Sequence, residues 1–213
     1  MKQEIDIVWL KRDLRLQDNE ALSNACKSGN RFLICYFFEP SIAQDPHYSQ
    51  RHFNFIKQSL QDINEQLISF NSKVLIVHSE VLQAFKKIQD SYVINTVYSH
   101  QETGLLITYE RDKEFNRFCR NNLINWKENI NNGVYRGLKN REQWFERWTS
   151  YMSQNQVSFQ PGKKQLLSQN EIEQLESKFK LPNLDIPDSN PFQKGGTKIA
   201  LKYASTFFDQ RHT

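Results

Sequence analysis

The residues with the most evident chemical potential lie in one short stretch, Lys11-Arg12-Asp13-Leu14-Arg15-Leu16-Gln17-Asp18-Asn19. It holds three cations and two acids but no glycine. Without glycine the backbone cannot form the close phosphate cradle of a P-loop or a dinucleotide fingerprint. Two readings are open. In one, the charges form a salt-bridged turn and Asp18 or Asn19 caps the helix that follows. In the other, Lys and Arg line a pocket for an anionic ring or a phosphate-bearing cofactor. His47, His52, His78, His100 and His212 show neither HExxH nor i, i+4 pairing, so no metal site is expected. No Ser/His/Asp or Cys/His signature stands out, and no catalytic residue is assigned. Cys26, Cys35 and Cys119 are far apart and odd in number, which argues against a disulfide framework and points to a reducing compartment.

Short apolar runs and helical patterns alternate around that stretch. Residues 5–10, 32–38, 73–78, 96–100 and 124–127 have strand length and are rich in β-branched or aromatic residues. Helices are expected over 18–27, 49–70, 79–88 and 103–121. The second places Phe53, Ile56, Leu60, Ile63 and Leu67 at steps of three and four. This rhythm predicts parallel pairing through right-handed crossovers: an α/β fold with a doubly wound, five-stranded, Rossmann-like parallel sheet. Ligands of such sheets sit beyond the carboxyl ends of the strands, at the switch in strand order. The loops after Leu10, Phe38, His78 and His100 are therefore the place to look.

The formal net charge of +4 is too mild for a dedicated nucleic-acid surface. No apolar run approaches membrane-helix length, so no membrane contact is expected. Glu4 and Asp6 stand where a secretory leader would begin with bases, and a cytoplasmic location is the expectation. Trp9 and Trp126 fall in the first and last strands. Trp144, Trp148 and Met152, four apart on an expected helix within 136–152, are read with them as core residues. From 153 to 196 the chain is polar and holds Pro161, Pro182, Pro187 and Pro191. That length without regular structure, apart from a short helix near 171–179, suggests an interdomain connector. A final helix follows over 197–213, with Ile199, Tyr203 and Phe207 four apart.

Trp9 through Leu22, WLKRDLRLQDNEAL, closely resembles the opening signature of the DNA photolyase/cryptochrome family. The resemblance continues through Phe37-Phe38-Glu39-Pro40, through Arg51, Phe55 and Ser59-Leu60, and through Thr108-Tyr109-Glu110-Arg111-Asp112. It extends to Asn132-Gly133-Val134, Phe192-Gln193-Lys194-Gly195-Gly196, Ala200-Leu201 and Phe207, in family order. It implies an α/β antenna domain over 1–135, a helix of 136–152 packed on it, the connector, and at 197–213 the first helix of an FAD-binding helical domain. In that family light excites the flavin, directly or through an antenna, for pyrimidine-dimer repair in DNA or for signalling. The sequence is expected to stop before the FAD site, so that FAD and damaged DNA would be reached only through that helical domain, in cis or in trans.

The resemblance also implies a possible antenna chromophore: a folate, a deazaflavin or a flavin. Folate binders carry a Glu seven positions before the Asp of the Arg-Asp motif. Leu105 stands there in this sequence, with Glu102 one turn away. A deazaflavin or flavin would lie over the strand ends, against Lys11, Arg12, Phe37, Phe38, Glu39, Arg51 and Glu102. The Phe rings offer stacking faces and the Arg residues can meet a phosphate or a ring carbonyl. The rival expectation is a stand-alone nucleotide- or flavin-binding or protein-interaction module that self-associates through the Ile199/Tyr203/Phe207 face.

Overall fold

Alternation along the first strand sets the architecture. In β1 (Gln3–Trp9), Ile5, Ile7 and Trp9 point to one face of the sheet, while Val8 and the next residue, Leu10, point to the other, and all five are buried. A strand apolar on both faces needs helices on both. A computed structural model, which describes residues 2–187 and 192–211, supplies them. The strands are β1, β2 (Phe32–Phe38), β3 (Leu75–His78), β4 (Tyr92–His100) and β5 (Asn125–Asn129). They pair in the order β3-β2-β1-β4-β5, every pair parallel. The expected doubly wound sheet is therefore present. Its switch point lies between β1 and β4, where the chain turns from building toward β3 to building toward β5.

Helices α1 (Glu20–Ser28), α2 (Pro40–Ala43), α3 (Gln50–Leu67), α4 (Val81–Gln89) and α5 (Leu106–Asn121) make the crossovers. Asn19 caps α1 by accepting from the Leu22 amide, and Gly29 ends it in the left-handed conformation. Side chains of α1 and α3 pack with Val8, Leu10 and Ile34 on one face. Those of α4 and α5 pack on the other with Ile5, Trp9 and Phe37, where Trp9, Phe85 and Phe115 meet edge to face or tilted at 4.5–6.2 Å. The short α2 was not expected. Pro40 at its first position starts it.

One expectation about the second half needs correction. Helix α6 (Trp144–Met152) has no buried residue: Trp144 and Met152 are exposed and Trp148 is only partly covered. They are not core. α6 touches the domain through Trp148 over Gly133 and the Tyr151 hydroxyl on the Ile130 carbonyl. Its rings stack mostly on one another, which satisfies helical spacing without burial.

The described residues of the stretch 153–196, expected as an interdomain connector, lie in large part against the α/β domain. Phe159, Leu166, Leu167, Ile172 and Leu175 are buried in the two cores. Leu166 forms a parallel bridge to Phe32, and α7 (Gln169–Glu176) carries a capping box of Ser168 and Glu171. Sparse apolar residues among Gln, Asn, Ser and Pro give little periodic signal, yet Phe159 and Leu166 join the core on one face of the sheet and Leu167, Ile172 and Leu175 the core on the other. Helix α8 (Thr197–Arg211) leaves Leu201, Tyr203, Phe207 and Phe208 exposed. Pro191, His212 and the last two residues of the expected 197–213 helix lie outside the described residues. No described helix is long and apolar enough to cross a membrane.

Candidate functional site

A cavity of about 610 Å³ opens at the carboxyl ends of β1, β2 and β4, at the switch point. That volume lies within the range of small-molecule sites. Each strand ends by delivering a charged residue there: Lys11 and Arg12 after β1, Glu39 after β2, and Glu102 after β4. The first half of α3 forms a second wall with Arg51, His52, Phe53, Phe55 and Ile56. One face of α5 and the residue before it form a third, since Leu105, Thr108 and Arg111 recur every three residues. Phe192 and Gln193 reach the mouth from the segment before α8.

All seven residues singled out from the sequence line this cavity. Their roles differ. Lys11 is buried and its ammonium turns away from solvent, 2.9 Å from Asp112 and over the Trp9 ring at 4.3 Å. Burial lowers its pKa and neighbouring Arg111 adds to this, against the pull of Asp112. Phe37 and Phe38 cannot share a stacking face, because adjacent strand residues point oppositely. The Phe37 ring is in the core beside Trp9 and Phe85, whereas Phe38 packs with Tyr36 and Phe53 on the α3 side. Arg12 and Arg51 stand at the solvent side, and Arg51 has no carboxylate partner among the described residues.

Arg111 was not expected in the site, and it organises the carboxylates. It donates to Glu39 at 2.6 Å and to Asp112 at 2.9 Å, and lies 3.6 Å from Glu102. Its guanidinium also covers the Trp9 ring at 4.8 Å. Burial opposes its charge, but Glu39 and Asp112 more than offset this and hold it protonated. Glu102 is also paired with Arg12 at 2.8 Å, although no N–H is well aimed at that Oε1. Glu39 Oε1 accepts from Arg111, and its buried Oε2 has no hydrogen-bond partner among the described residues. Burial pushes its pKa up to about 7 despite Arg111. The helical spacing of Leu105, Thr108 and Arg111 was a usable signal for this residue. Nothing local marked Trp9, Tyr36 or Tyr48 as lining.

Below the cavity a second network fixes the loop after β1. Buried Asp13 accepts from the Lys11 amide, the Asn19 side chain and His100, the last at 2.6 Å. Burial alone would raise the Asp13 pKa, but the contact with His100 and the backbone donors hold it below its ordinary value. The capped-turn reading of Asn19 and the pocket-lining reading of Lys11 and Arg12 therefore both describe parts of one loop. Among the described residues no group of His, Cys, Asp and Glu could hold a metal ion.

A family model described as DNA photolyase matches residues 6–136. Cryptochrome DASH of Solanum lycopersicum is 31% identical over 105 residues, 46% of this chain and 18% of the relative. Cryptochrome DASH of Synechocystis is 31% identical over 101 residues, 45% of this chain and 21% of the relative. The fold resembles that of a solved Synechocystis cryptochrome, with TM-score 0.73 and 18% identity over 98% of this chain and 47% of that one. It also resembles that of an archaeal photolyase from Sulfolobus tokodaii, with TM-score 0.70 and 16% identity over 93% of this chain and 45% of that one. The Sulfolobus protein was solved with two FAD molecules, with the implication of a novel light-harvesting cofactor. The chain thus spans less than half the length of the solved relatives it matches, and about a fifth of the curated ones is aligned with it.

Proposed function

The chain belongs to the DNA photolyase family, and from that premise we propose that the cavity at the carboxyl edge of its sheet holds a light-harvesting antenna chromophore. When bound, that group would absorb blue or near-ultraviolet light for FAD held by a helical domain, in cis or in trans. On this reading damaged DNA is engaged only by that helical domain, and the chain alone performs no photochemical repair.

The observation that carries the reading is the cavity. It combines about 610 Å³ of volume, aromatic walls and a switch-point position with two solvent-side guanidiniums, Arg12 and Arg51. Apolar walls with a few placed polar groups suit a flat conjugated ring carrying an anionic tail. Among the possible chromophores a flavin or deazaflavin is favoured over a folate. Leu105 supplies no carboxylate, and Glu102 is already held between Arg12 and Arg111.

The test is the absorption and fluorescence of the purified chain, alone and titrated with FMN, an 8-hydroxydeazaflavin and a methenyl-tetrahydrofolate. Quenched, anisotropic flavin or deazaflavin emission is expected. Binding of none of the three would sink the proposal. Illumination with dimer-containing DNA, reductant and FAD should yield no repair, and substantial repair would overturn the non-catalytic part.

A second reading, a protein-interaction module, is supported by the exposure of Leu201, Tyr203, Phe207 and Phe208 on α8. Apolar patches of this kind are interaction sites more often than bare surface. Sedimentation over a concentration series decides it, since a strict monomer at high concentration excludes self-association.

A further inference from the structure

We infer that residues 192–196 form a strap that completes the ligand cavity, and that Gly195 and Gly196 are positioning residues linking occupancy of the cavity to the seating of helix α8. The inference rests on the reading of the cavity as a chromophore site and adds how that site is closed and what it is coupled to.

The strap begins at the cavity and ends at the helix. Phe192 and Gln193 line the cavity mouth, and the Arg51 guanidinium lies 5.7 Å from the Phe192 ring. Two residues on, the backbone of Gly195 is pressed against α3. A Cβ there would lie 2.2 Å from the Phe55 carbonyl oxygen and 2.6 Å from Ser59 Oγ. The obstacle is helix backbone, which cannot yield as a side-chain tip can, so only glycine permits the contact. The Gly195 amide donates to Gln58 Oε1 at 2.8 Å. Gly196 follows with φ of +104°, a left-handed conformation, and its Cα faces Asp62. Asp62 Oδ2 then accepts from the Thr197 amide at 2.9 Å and caps the first turn of α8 from another helix.

Helix α3 therefore serves both ends of the device. Its Arg51, His52, Phe53, Phe55 and Ile56 wall the cavity, and its Gln58, Ser59 and Asp62 hold the strap. Phe55 belongs to both sets, as a lining residue of the cavity and, through its carbonyl, as the seat of Gly195. Beyond the cap, α8 meets α3 through the surface pair Lys198–Glu65, and Leu201, Tyr203 and Phe208 remain exposed. With so little side-chain burial, the glycine contact and the Asp62 cap make up much of what fixes the start of α8. A ligand packed beneath Phe192 favours the fastened strap. By linkage, loosening the strap weakens the ligand by the same factor.

The experiment uses the full chain with FMN as probe and follows FMN affinity together with amide exchange at Thr197 and Ala200. In the unmutated chain FMN should slow exchange at both amides. Gly195→Val should weaken FMN on the order of tenfold, the loss of roughly one aromatic contact at the mouth, and speed exchange at Thr197 before FMN is added. Asp62→Ala should act in the same direction on both readouts. Phe192→Ala should weaken FMN yet leave exchange at Thr197 in the free chain unchanged. Circular dichroism checks that each variant folds, and Asp62→Ala decides if Gly195→Val does not. Normal FMN affinity in folded Gly195→Val and Asp62→Ala overturns the inference, as does exchange at Thr197 indifferent to bound FMN. If the unmutated chain binds no FMN, the flavin reading of the cavity fails separately. The strap is then judged by exchange alone. Faster exchange in Gly195→Val at both Thr197 and residues 51–56 upholds it, and an unchanged profile overturns it.

Discussion

Arg111 on α5 donates to Glu39 at the end of β2 across 2.6 Å, joining two elements 72 residues apart on either side of the switch point. The same guanidinium holds Asp112, which in turn pairs with Lys11 after β1. One side chain thus ties together the ends of β1 and β2 with α5. Breaking a buried pair by removing one partner leaves an uncompensated charge, which costs about 3–5 kcal/mol. Arg111→Ala should lose stability of that order in urea denaturation, while Arg111→Lys, which cannot serve Glu39 and Asp112 as a fork, should lose part of it.

Glu39 makes the same cluster sensitive to pH. Its pKa is raised by burial from an ordinary 4.5 to about 7. In the window between those values the folded state holds a proton that the unfolded state has released. The Glu39 contribution to stability must therefore fall as pH rises from 4.5 to about 7, and level off above. Glu39→Gln, which can still accept from Arg111, should lack this decline. The check is the difference between the two unfolding free energies as a function of pH. A difference that stays flat across the window refutes the assignment.

Glu171 should show the opposite sign. Hydrogen bonding to Arg31 is the largest influence, and it brings the Glu171 pKa from 4.5 to about 2. Its contribution is present above 4.5 and is lost as pH falls toward 2. Glu171→Gln should remove that acid-side loss and leave the Glu39 window untouched, since the two groups sit in separate clusters.

Gly104 offers a substitution that separates stability from binding. A Cβ there would lie 2.5 Å from Arg12 Nη2, the tip of a half-exposed flexible side chain that can swing away. Gly104→Ala should change stability by less than about 1 kcal/mol. It should also displace Arg12 from Glu102 and weaken anionic ligands of the cavity more than neutral ones, as in a comparison of FMN with riboflavin. Equal effects on the two would remove Arg12 from the phosphate-binding role.

Leu167 tests whether the polar second half is part of the domain. It is fully buried in the core with Ile172 and Leu175, and its amide donates to the Phe32 carbonyl. Leu167→Ala should cost about 2–5 kcal/mol, as truncation of a core leucine does. A chain cut after Met152 should bind hydrophobic dyes and fail to unfold cooperatively. A stable 1–152 fragment would show that the strapped-on segment is ornamental.

The sheet was legible in the sequence because its signal is local. Runs such as Phe32–Phe38 are apolar on both faces, and that pattern fixes strand length, parallel pairing and helices on both sides, wherever the rest of the chain lies. The same logic named the loops after Leu10, Phe38, His78 and His100 as one edge, and of these the loop after His78 contributes no residue to the cavity. The seven residues named there line one cavity. The motif from Trp9 to Leu22 and its companions identified the family, since side-chain types in sequence order are all that such a resemblance requires.

What the side chains do at that edge was decided by the tertiary structure. Lys11 and Arg12 are neighbours, yet one is buried against Asp112 and the other reaches solvent. Phe37 and Phe38 are neighbours, yet they serve opposite faces of the sheet. Arg111 became the centre of the site only when the chain path brought α5's Arg111 to Glu39 at the end of β2. Apart from the short helix near 171–179, the described residues between Phe159 and Gly196 offered little periodicity to read: Phe159 and Leu166 enter one core, Leu167, Ile172 and Leu175 the other, and Gly195 and Gly196 lie against α3. Periodic burial is written in the sequence. Contacts between parts brought together by the chain path depend on distances that no local pattern encodes.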